Sequence, residues 1–350
     1  MNCCPFCFHE KQYTIISLIQ ELSEESGDCD ICGTIETEIV DIKEVADFFV
    51  PLFDIYEIKP GAEKENTLIH ELHSNWNIFS KEASPNISRL LQNIVDQLDK
   101  STYSDLFNAP HVRFNFIEQN EFEYEWDQLK TEIKEKNRFF FRAFKPDELE
   151  EILMKNEVIY RQGSDFYRAR LCDSKEGLEK NKMGKPPREK ATAGRANPSG
   201  IPYLYLSLDV QTVIHEVRAF HYDYVTIARF KADQDLKILS LTAPDLYEND
   251  PFMEGNLRKT LSAIQFLETL EQELAKPLRR NDSILEYLPT QYICELAKNL
   301  GFDGIEYSST LYPGGTNIAV FHDEKLSIDE LTVVEIKNVT VESEEIQSDQ

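Results

Sequence analysis

Two sets of residues in this chain have types and spacings that could do chemistry. The first is Cys4-Pro5-Phe6-Cys7 with Cys29-Asp30-Ile31-Cys32, two C-x-x-C pairs separated by 21 residues. Two such knuckles supply four soft thiolates in the tetrahedral arrangement that zinc prefers. Gly33, just after the second pair, permits the tight turn a ribbon needs. The gap is slightly longer than the commonest ribbon spacing. Cys3 is a spare thiol that could substitute for Cys4. Four thiolates leave no open position for a substrate, so a metal at Cys4, Cys7, Cys29 and Cys32 is expected to be structural.

The second set is charged. Phe166, Arg168 and Arg170 share one face of a predicted strand over Asp165–Arg170 by period two. Two arginines on one face could clamp a diphosphate. Arg195 follows on a turn, and Glu216 sits in a predicted helix. With Val213, Val217 and Phe220, Glu216 falls on the inward face of that helix. A carboxylate aimed at the core needs a partner, because an unpaired buried charge is costly. His215 and Arg218 lie on other faces of the helix, so Arg195, on the turn before the strand, is the nearest candidate in sequence. Taken alone, the pair reads as a structural ion pair as readily as a site.

The elements that must position these residues are legible around them. Asn197-Pro198-Ser199-Gly200 are turn formers. Tyr203-Leu204-Tyr205-Leu206 suits a buried strand. Asp209 is a predicted N-cap for a helix running to about Phe220. Upstream, Pro146–Met154 reads as a helix and Val158–Tyr160 as a strand, while 138–143 reads as a strand or packed linker. The segment 173–193 holds Lys175, Lys180, Lys182, Lys185, Arg188 and Lys190, and reads as a mobile basic loop able to draw an anion to the cleft. Downstream come predicted strands at Tyr224–Phe230 and Leu236–Leu241, then helices at Asn256–Ala275 and Pro289–Asn299. Strands follow at Phe302–Ser309, Thr316–His322 and Leu331–Ile336. Residues 41–135 read as mostly helical and acidic, and 341–350 as a disordered acidic tail. His70 and His73 flank Glu71 at a spacing other than H-E-x-x-H, so they are not taken as ligands.

Composition narrows the function classes. The chain has 350 residues, is 41% apolar and carries a formal net charge of −26. It is long enough for more than one domain. So acidic a surface argues against direct nucleic-acid binding. No apolar run reaches membrane-spanning length and no signal peptide is evident, so a cytoplasmic protein without membrane contact is expected. Five of the seven cysteines fall before residue 33, which suits metal ligation in a reducing compartment.

Four segments together resemble the RES domain, the toxin module of RES–Xre toxin–antitoxin systems. They are Phe166-Tyr167-Arg168-Ala169-Arg170; Gly194-Arg195-Ala196-Asn197-Pro198-Ser199-Gly200-Ile201-Pro202; Leu204-Tyr205-Leu206 with His215-Glu216-Val217; and Gly301 through Ser309 with Gly314-Gly315-Thr316-Asn317 and a strand ending in Phe321. The resemblance covers roughly Phe139 to Asp329. The part before it is similar to the N-terminal domains of HEPN/RES-associated proteins. The family is named for an Arg, a Glu and a Ser, which fall on Arg195, Glu216 and Ser309, with Ser308 the alternative serine. The family tyrosine falls on Tyr205. Ala196 stands where the family often has Trp.

The resemblance implies an α+β fold with an ADP-ribosyltransferase-like mixed sheet, preceded by a small zinc ribbon and a mostly α-helical domain. The expected boundaries are 1–40, 41–137, 138–330 and a last strand and tail over 331–350. It implies an NAD-degrading enzyme, a glycohydrolase or phosphorylase, acting as a toxin or anti-phage effector. The alternatives are a non-catalytic nucleotide-binding sensor or scaffold, or an ADP-ribosyltransferase acting on a macromolecule. NAD is then the substrate and zinc a structural cofactor. Expected partners are inorganic phosphate, an antitoxin or trigger protein, and a second copy of the chain. Breaking an N-glycosidic bond develops oxocarbenium-like charge, which Glu216 could stabilise. Arg195 and Arg168 could hold phosphate, Tyr205 could stack or hydrogen-bond, and Ser309 or Ser308 could position the ribose or acceptor.

Overall fold

A computed structural model of the chain describes residues 1–59, 66–98, 101–115, 121–138, 140, 146–242, 250–253, 257–276 and 284–340. The expectations for 341–350 and for most of 138–143 lie outside the described residues. Two compact units are formed: Met1–Tyr124 with Asp245–Gln265, and Glu125–Pro244 with Phe266–Gln350. The second therefore begins ahead of the boundary expected at 138.

In the first unit, β1 (Asn2–Cys3), β2 (Glu25–Gly27) and β3 (Thr37–Asp41) form a small antiparallel sheet in the order β1-β3-β2. Strands β4 (Tyr56–Ile58) and β5 (Val112–Phe114) pair separately. Helices α1 (Tyr13–Leu22), α2 (Ile42–Val45), α3 (Val50–Phe53), α4 (Leu68–Trp76), α5 (Ile87–Gln97) and α6 (Ser101–Asn108) supply most of the core. The helical periodicity is realised where the apolar spacing is dense. Leu68, Leu72 and Trp76 are buried on α4, and Leu90, Leu91, Ile94 and Val95 on α5. Thr67 starts α4 by accepting from His70 N. Phe48 is exposed beside buried Phe49, where a 3-10 turn over Ala46–Phe49 breaks the α period.

The second unit carries α7 (Glu121–Thr131) from Glu125 onward, continued by a π turn at Glu132–Lys136. Then follow α8 (Pro146–Lys155), β6 (Glu157–Tyr160), β7 (Asp165–Cys172), β8 (Leu204–Ser207), α9 (Val210–Glu216), β9 (Tyr224–Ala232) and β10 (Leu236–Ser240). Last come α10 (Leu257–Ala275) from Phe266 onward, α11 (Leu288–Asn299), β11 (Gly304–Ser308), β12 (Thr316–Val320) and β13 (Leu326–Glu335). Eight strands form one mixed sheet in the order β13-β9-β7-β8-β12-β11-β10-β6. Every neighbouring pair is antiparallel except β10 with β11. Period-two alternation sorts the faces. Leu204, Leu206, Ile318, Val320, Ala228 and Phe230 bury together on one side.

One junction in this sheet is weak. Strands β7 and β8 pair at a single register position, Tyr167 opposite Ser207. By contrast β7 pairs with β9 over eight positions. Beyond the Tyr167 rung the two strands part, and backbone groups of β8 must find other partners.

Two expectations are corrected here. The segment after β7 is not a mobile loop. It forms 3-10 turns at Lys180–Lys182 and Arg188–Lys190, and Met183 is fully buried in the sheet core. One apolar side chain in a polar run anchors it. Helix α9 stops at Glu216 rather than near Phe220. Arg218 takes φ +51°, which ends the helix, and Phe220 is 72% exposed.

Candidate functional site

Helix α9 begins as the sequence indicates. Asp209 accepts from Thr212 N at 2.8 Å and from Thr212 Oγ1 at 2.5 Å. Val213 packs inward with Ala169, Val225 and Ile227. Glu216 is the last helical residue, and it is exposed rather than turned to the core. The early end of the helix is the reason: the face extrapolated through Phe220 does not exist. Glu216 instead lines a cavity of about 580 Å³.

One carboxylate oxygen is held from two sides. Ser309 Oγ and Asn317 Nδ2 each donate to Glu216 Oε1 at 2.7 Å. Ser309 is itself fixed, since its Oγ accepts from Leu311 N and Tyr312 N, both at 3.2 Å, and its N donates to Gly315 O at 2.7 Å. Asn317 is oriented by Ser207 Oγ, which donates to its Oδ1 at 2.7 Å. Oε2 of Glu216 has no hydrogen-bond partner among the described residues and is open to a ligand. These side chains follow from the sheet register. Tyr167 lies opposite Ser207, Ser207 opposite Asn317, and Asn317 opposite Tyr307, giving a row of polar side chains across four strands. Asn317 lies within one of the segments that carry the resemblance, and Ser207 is two residues past Tyr205. The sequence reading assigned neither a role. The signal that finds both is period two along β8 and β12.

Arg168 bridges the gap between β7 and β8, its Nη1 donating to Tyr205 O at 3.4 Å. Its Nε is buried without a hydrogen-bond partner among the described residues, and the side chain lines the cavity. Burial, with Arg170 beside it, pushes the Arg168 guanidinium down to about 10. It has no ion pair among the described residues. Arg170 does not share the task. It is exposed, and its Nη1 donates to Lys182 O at 2.5 Å. The two-arginine strand clamp is thus reduced to Arg168.

Arg195 also lines the cavity. Its contacts include Glu273 O, 3.2 Å from Nη1, and the Tyr287 ring, 5.3 Å away. Glu216 binds Ser309 and Asn317, so the ion pair suggested for it by sequence distance gives way to hydrogen bonds from two neutral donors. The loop bearing Arg195 is clamped from α11. Thr290 Oγ1 donates to Arg195 O at 2.7 Å, and Gln291 Nε2 to Gly194 O at 2.7 Å and Asn197 O at 3.1 Å. Gly194 is required by close approach: a Cβ there would lie 2.8 Å from Asn197 Oδ1 and 3.1 Å from the Tyr205 hydroxyl. Tyr205 donates that hydroxyl to Asn197 Oδ1 at 2.7 Å, and burial raises its pKa so that it stays protonated. The Tyr307 pKa is likewise raised, by burial first and then by Tyr205 and Glu216.

Of the two candidate serines, only Ser309 meets Glu216. Ser308 is exposed and turns to Glu271, which accepts from its Oγ and, at 3.2 Å, from its N.

In the first unit Cys4, Cys7, Cys29 and Cys32 converge, with all four sulfurs within 4.8 Å of one another. Cys4 and Cys32 Sγ lie 3.4 Å apart, as do Cys7 and Cys29. Zn–S bonds of about 2.3 Å place tetrahedral sulfurs roughly 3.8 Å apart, so the donor set and its size fit zinc. Hydrogen bonds from Cys4 and Cys7 favour a thiolate at Cys29, while Cys7 is pushed up by its neighbours. Cys3 lies outside the group, its backbone paired with Val40 in the small sheet. Glu71, between His70 and His73, binds Asn66 and Asn75, and both histidines are exposed.

The family model described as RES domain matches residues 165–340, half of the chain, and spans every element that builds the cavity floor. The chain belongs to the RES-domain family. The mixed eight-stranded sheet is the RES fold expected from the sequence motifs. No curated protein matches the chain. Among solved structures, a chain from the crystal structure of the M. tuberculosis MbcT–MbcA toxin–antitoxin complex is similar at 15% identity. That match covers 55% of this chain and 93% of the other, with a TM-score of 0.32. Among the described residues of this RES protein, no helix is long and apolar enough to cross a membrane.

Proposed function

We propose that this RES protein degrades NAD, cleaving the nicotinamide–ribose bond by hydrolysis or phosphorolysis, and that it acts in the cytoplasm as a toxin or anti-phage effector. The observation that carries the reading is the fixed Glu216 carboxylate, held at Oε1 by Ser309 and Asn317, on the wall of a cavity that also contains Arg168 and Arg195. The volume, about 580 Å³, is in the range of small-molecule sites.

The chemistry follows from those groups. As the C–N bond breaks, the bonding electrons leave with nicotinamide and neutralise its ring nitrogen. Positive charge then develops on the ribose. Glu216 stabilises it electrostatically and its open Oε2 accepts a ribose hydroxyl. Two neutral donors on Oε1 keep the carboxylate oriented without cancelling its charge. Arg168 and Arg195 bind the diphosphate, which supplies the anion that the buried Arg168 lacks. Tyr205, protonated and tied to Asn197, holds the arginine loop in place. Ser309 acts as a positioning residue through Glu216. Water, releasing one proton to solvent, or inorganic phosphate then adds to the ribose carbon that nicotinamide has left.

The four-cysteine site is proposed to hold structural zinc at Cys4, Cys7, Cys29 and Cys32; bound there, the ion ties together two knuckles of the first unit. An antitoxin or trigger protein is the proposed controlling partner.

The test is chromatography of NAD, nicotinamide, ADP-ribose and ADP-ribose 1″-phosphate after incubation with the full-length protein, with and without phosphate. Nicotinamide release that is abolished in Glu216→Ala and Arg195→Ala, with unchanged circular dichroism, is the expected result. Wild-type protein that leaves NAD intact at every phosphate concentration refutes the reading, and label retained on protein shows ADP-ribosyl transfer instead.

A further inference from the structure

The charge of the cavity is opposite to that of the chain. The sequence holds 63 acidic and 37 basic residues. Among the described residues, the cavity is lined by five cations, Arg168, Lys190, Arg195, Arg218 and Lys276, and by one carboxylate, Glu216. Two of the cations have contacts within the protein: Arg168 with Tyr205 O, and Arg195 with Glu273 O and the Tyr287 ring. The other three form a different class. Lys190, Arg218 and Lys276 are exposed, and their side chains have no hydrogen bond or ion pair among the described residues. They come from three separate places: the 3-10 turn before the arginine loop, the left-handed residue after α9, and the residue after α10. In so acidic a protein, three cations that line one cavity without a hydrogen bond or ion pair among the described residues make a local field that attracts anions.

A nicotinamide dinucleotide is a poor match for that field. Its diphosphate is satisfied by Arg168 and Arg195, and its pyridinium is itself positive. We infer that Lys190, Arg218 and Lys276 form a second phosphate subsite of the cavity, and that the favoured substrate is a dinucleotide bearing an additional phosphate monoester, of the NADP class. This rests on the reading of the cavity as a dinucleotide site. A dianionic monoester offers three oxygens to three cations in charge-assisted hydrogen bonds. Carried on the substrate, it binds without the entropy cost that a free phosphate incurs.

The experiment compares NAD and NADP on the full-length protein at one fixed ionic strength, by titration calorimetry on Glu216→Gln protein and by nicotinamide release on wild type. Charge-assisted hydrogen bonds of this kind make a preference of roughly tenfold or more for NADP the expected result in both. A Lys190→Gln/Arg218→Gln/Lys276→Gln triple variant is expected to bring the NADP-to-NAD ratio of kcat/KM to near unity. Equal use of the two dinucleotides, a preference for NAD, or a preference that survives in the triple variant overturns the inference. So does stimulation of NAD cleavage by inorganic phosphate that is lost in the triple variant while NADP shows no advantage, because the group bound is then free phosphate. If neither dinucleotide is cleaved yet NADP binds more tightly through these three residues, the subsite stands and the enzymatic reading fails.

Discussion

Asn317 Nδ2 lies 2.7 Å from Glu216 Oε1, the same oxygen that receives the Ser309 hydroxyl. The carboxylate is thus aimed by an amide that Ser207 in turn holds in one orientation. Asn317→Asp replaces a donor with a like charge, which disfavours ionised Glu216. Nicotinamide release is expected to fall by about 10² or more, with Asn317→Ala losing less. Parallel melting curves check that the fold persists; equal activity of Asn317→Asp and wild type would count against the arrangement.

The two serines separate cleanly. Ser309→Ala removes a hydrogen bond to Glu216 and is expected to lower kcat by about tenfold, the scale of one charge-assisted hydrogen bond. Ser308→Ala breaks only a contact with Glu271 at an exposed position. Its kcat and KM are expected to stay within about twofold of wild type. Steady-state kinetics on both variants decides the assignment.

Arg168 predicts a trade between stability and binding. It is a largely buried cation held down to about 10 by burial. Arg168→Met removes that desolvation cost, and a rise in Tm of roughly 2 °C is expected. The same variant should lose dinucleotide affinity by at least tenfold, read by calorimetry, because the diphosphate loses its inner cation. A fall in Tm would show that the hydrogen bond to Tyr205 O outweighs the burial cost.

Glu71 sets a pH dependence in the first unit. Burial raises its pKa, against the opposing donors Asn75 and Asn66. A carboxyl that holds its proton more tightly folded than unfolded stabilises the fold at low pH. That stability is lost as pH rises from the unfolded value of 4.5 through the raised folded value. Glu71→Gln is expected to flatten this slope in melting curves taken across that window. Asn66 Oδ1, buried without a hydrogen-bond partner among the described residues, can turn to accept from the new amide.

The cysteine group predicts metal content. Purified protein is expected to carry about one zinc per chain, measured by elemental analysis. Cys29→Ser should lose it together with the cooperative melting of the first unit, whereas Cys3→Ser should keep it, since Cys3 lies outside the four sulfurs.

Much of this was legible in the sequence because the informative residues are local. Asp209 caps α9 through a residue three positions on, and the period-two run of Leu204 and Leu206 is one buried sheet face. The RES motifs identified the family and its mixed sheet. What escaped is non-local or depends on one backbone angle. Glu216 read as inward because the helix was extended through Phe220, and nothing in the residue type of Arg218 announces φ +51°. Met183 lies in the segment read as a mobile basic loop, and its burial against the sheet is a non-local contact that the polar composition of 173–193 does not announce. Ser207 and Asn317 are 110 positions apart and meet only through the β8–β12 register.

The single rung between β7 and β8 has a wider consequence. Strands β13, β9 and β7 form one leaf and β8, β12, β11, β10 and β6 another, hinged at Tyr167 and Ser207. Arg168 belongs to the first leaf, and Tyr205, Ser207 and Asn317 to the second. A dinucleotide seated against both would act as mortar in the seam, completing cohesion that the backbone ladder leaves unfinished.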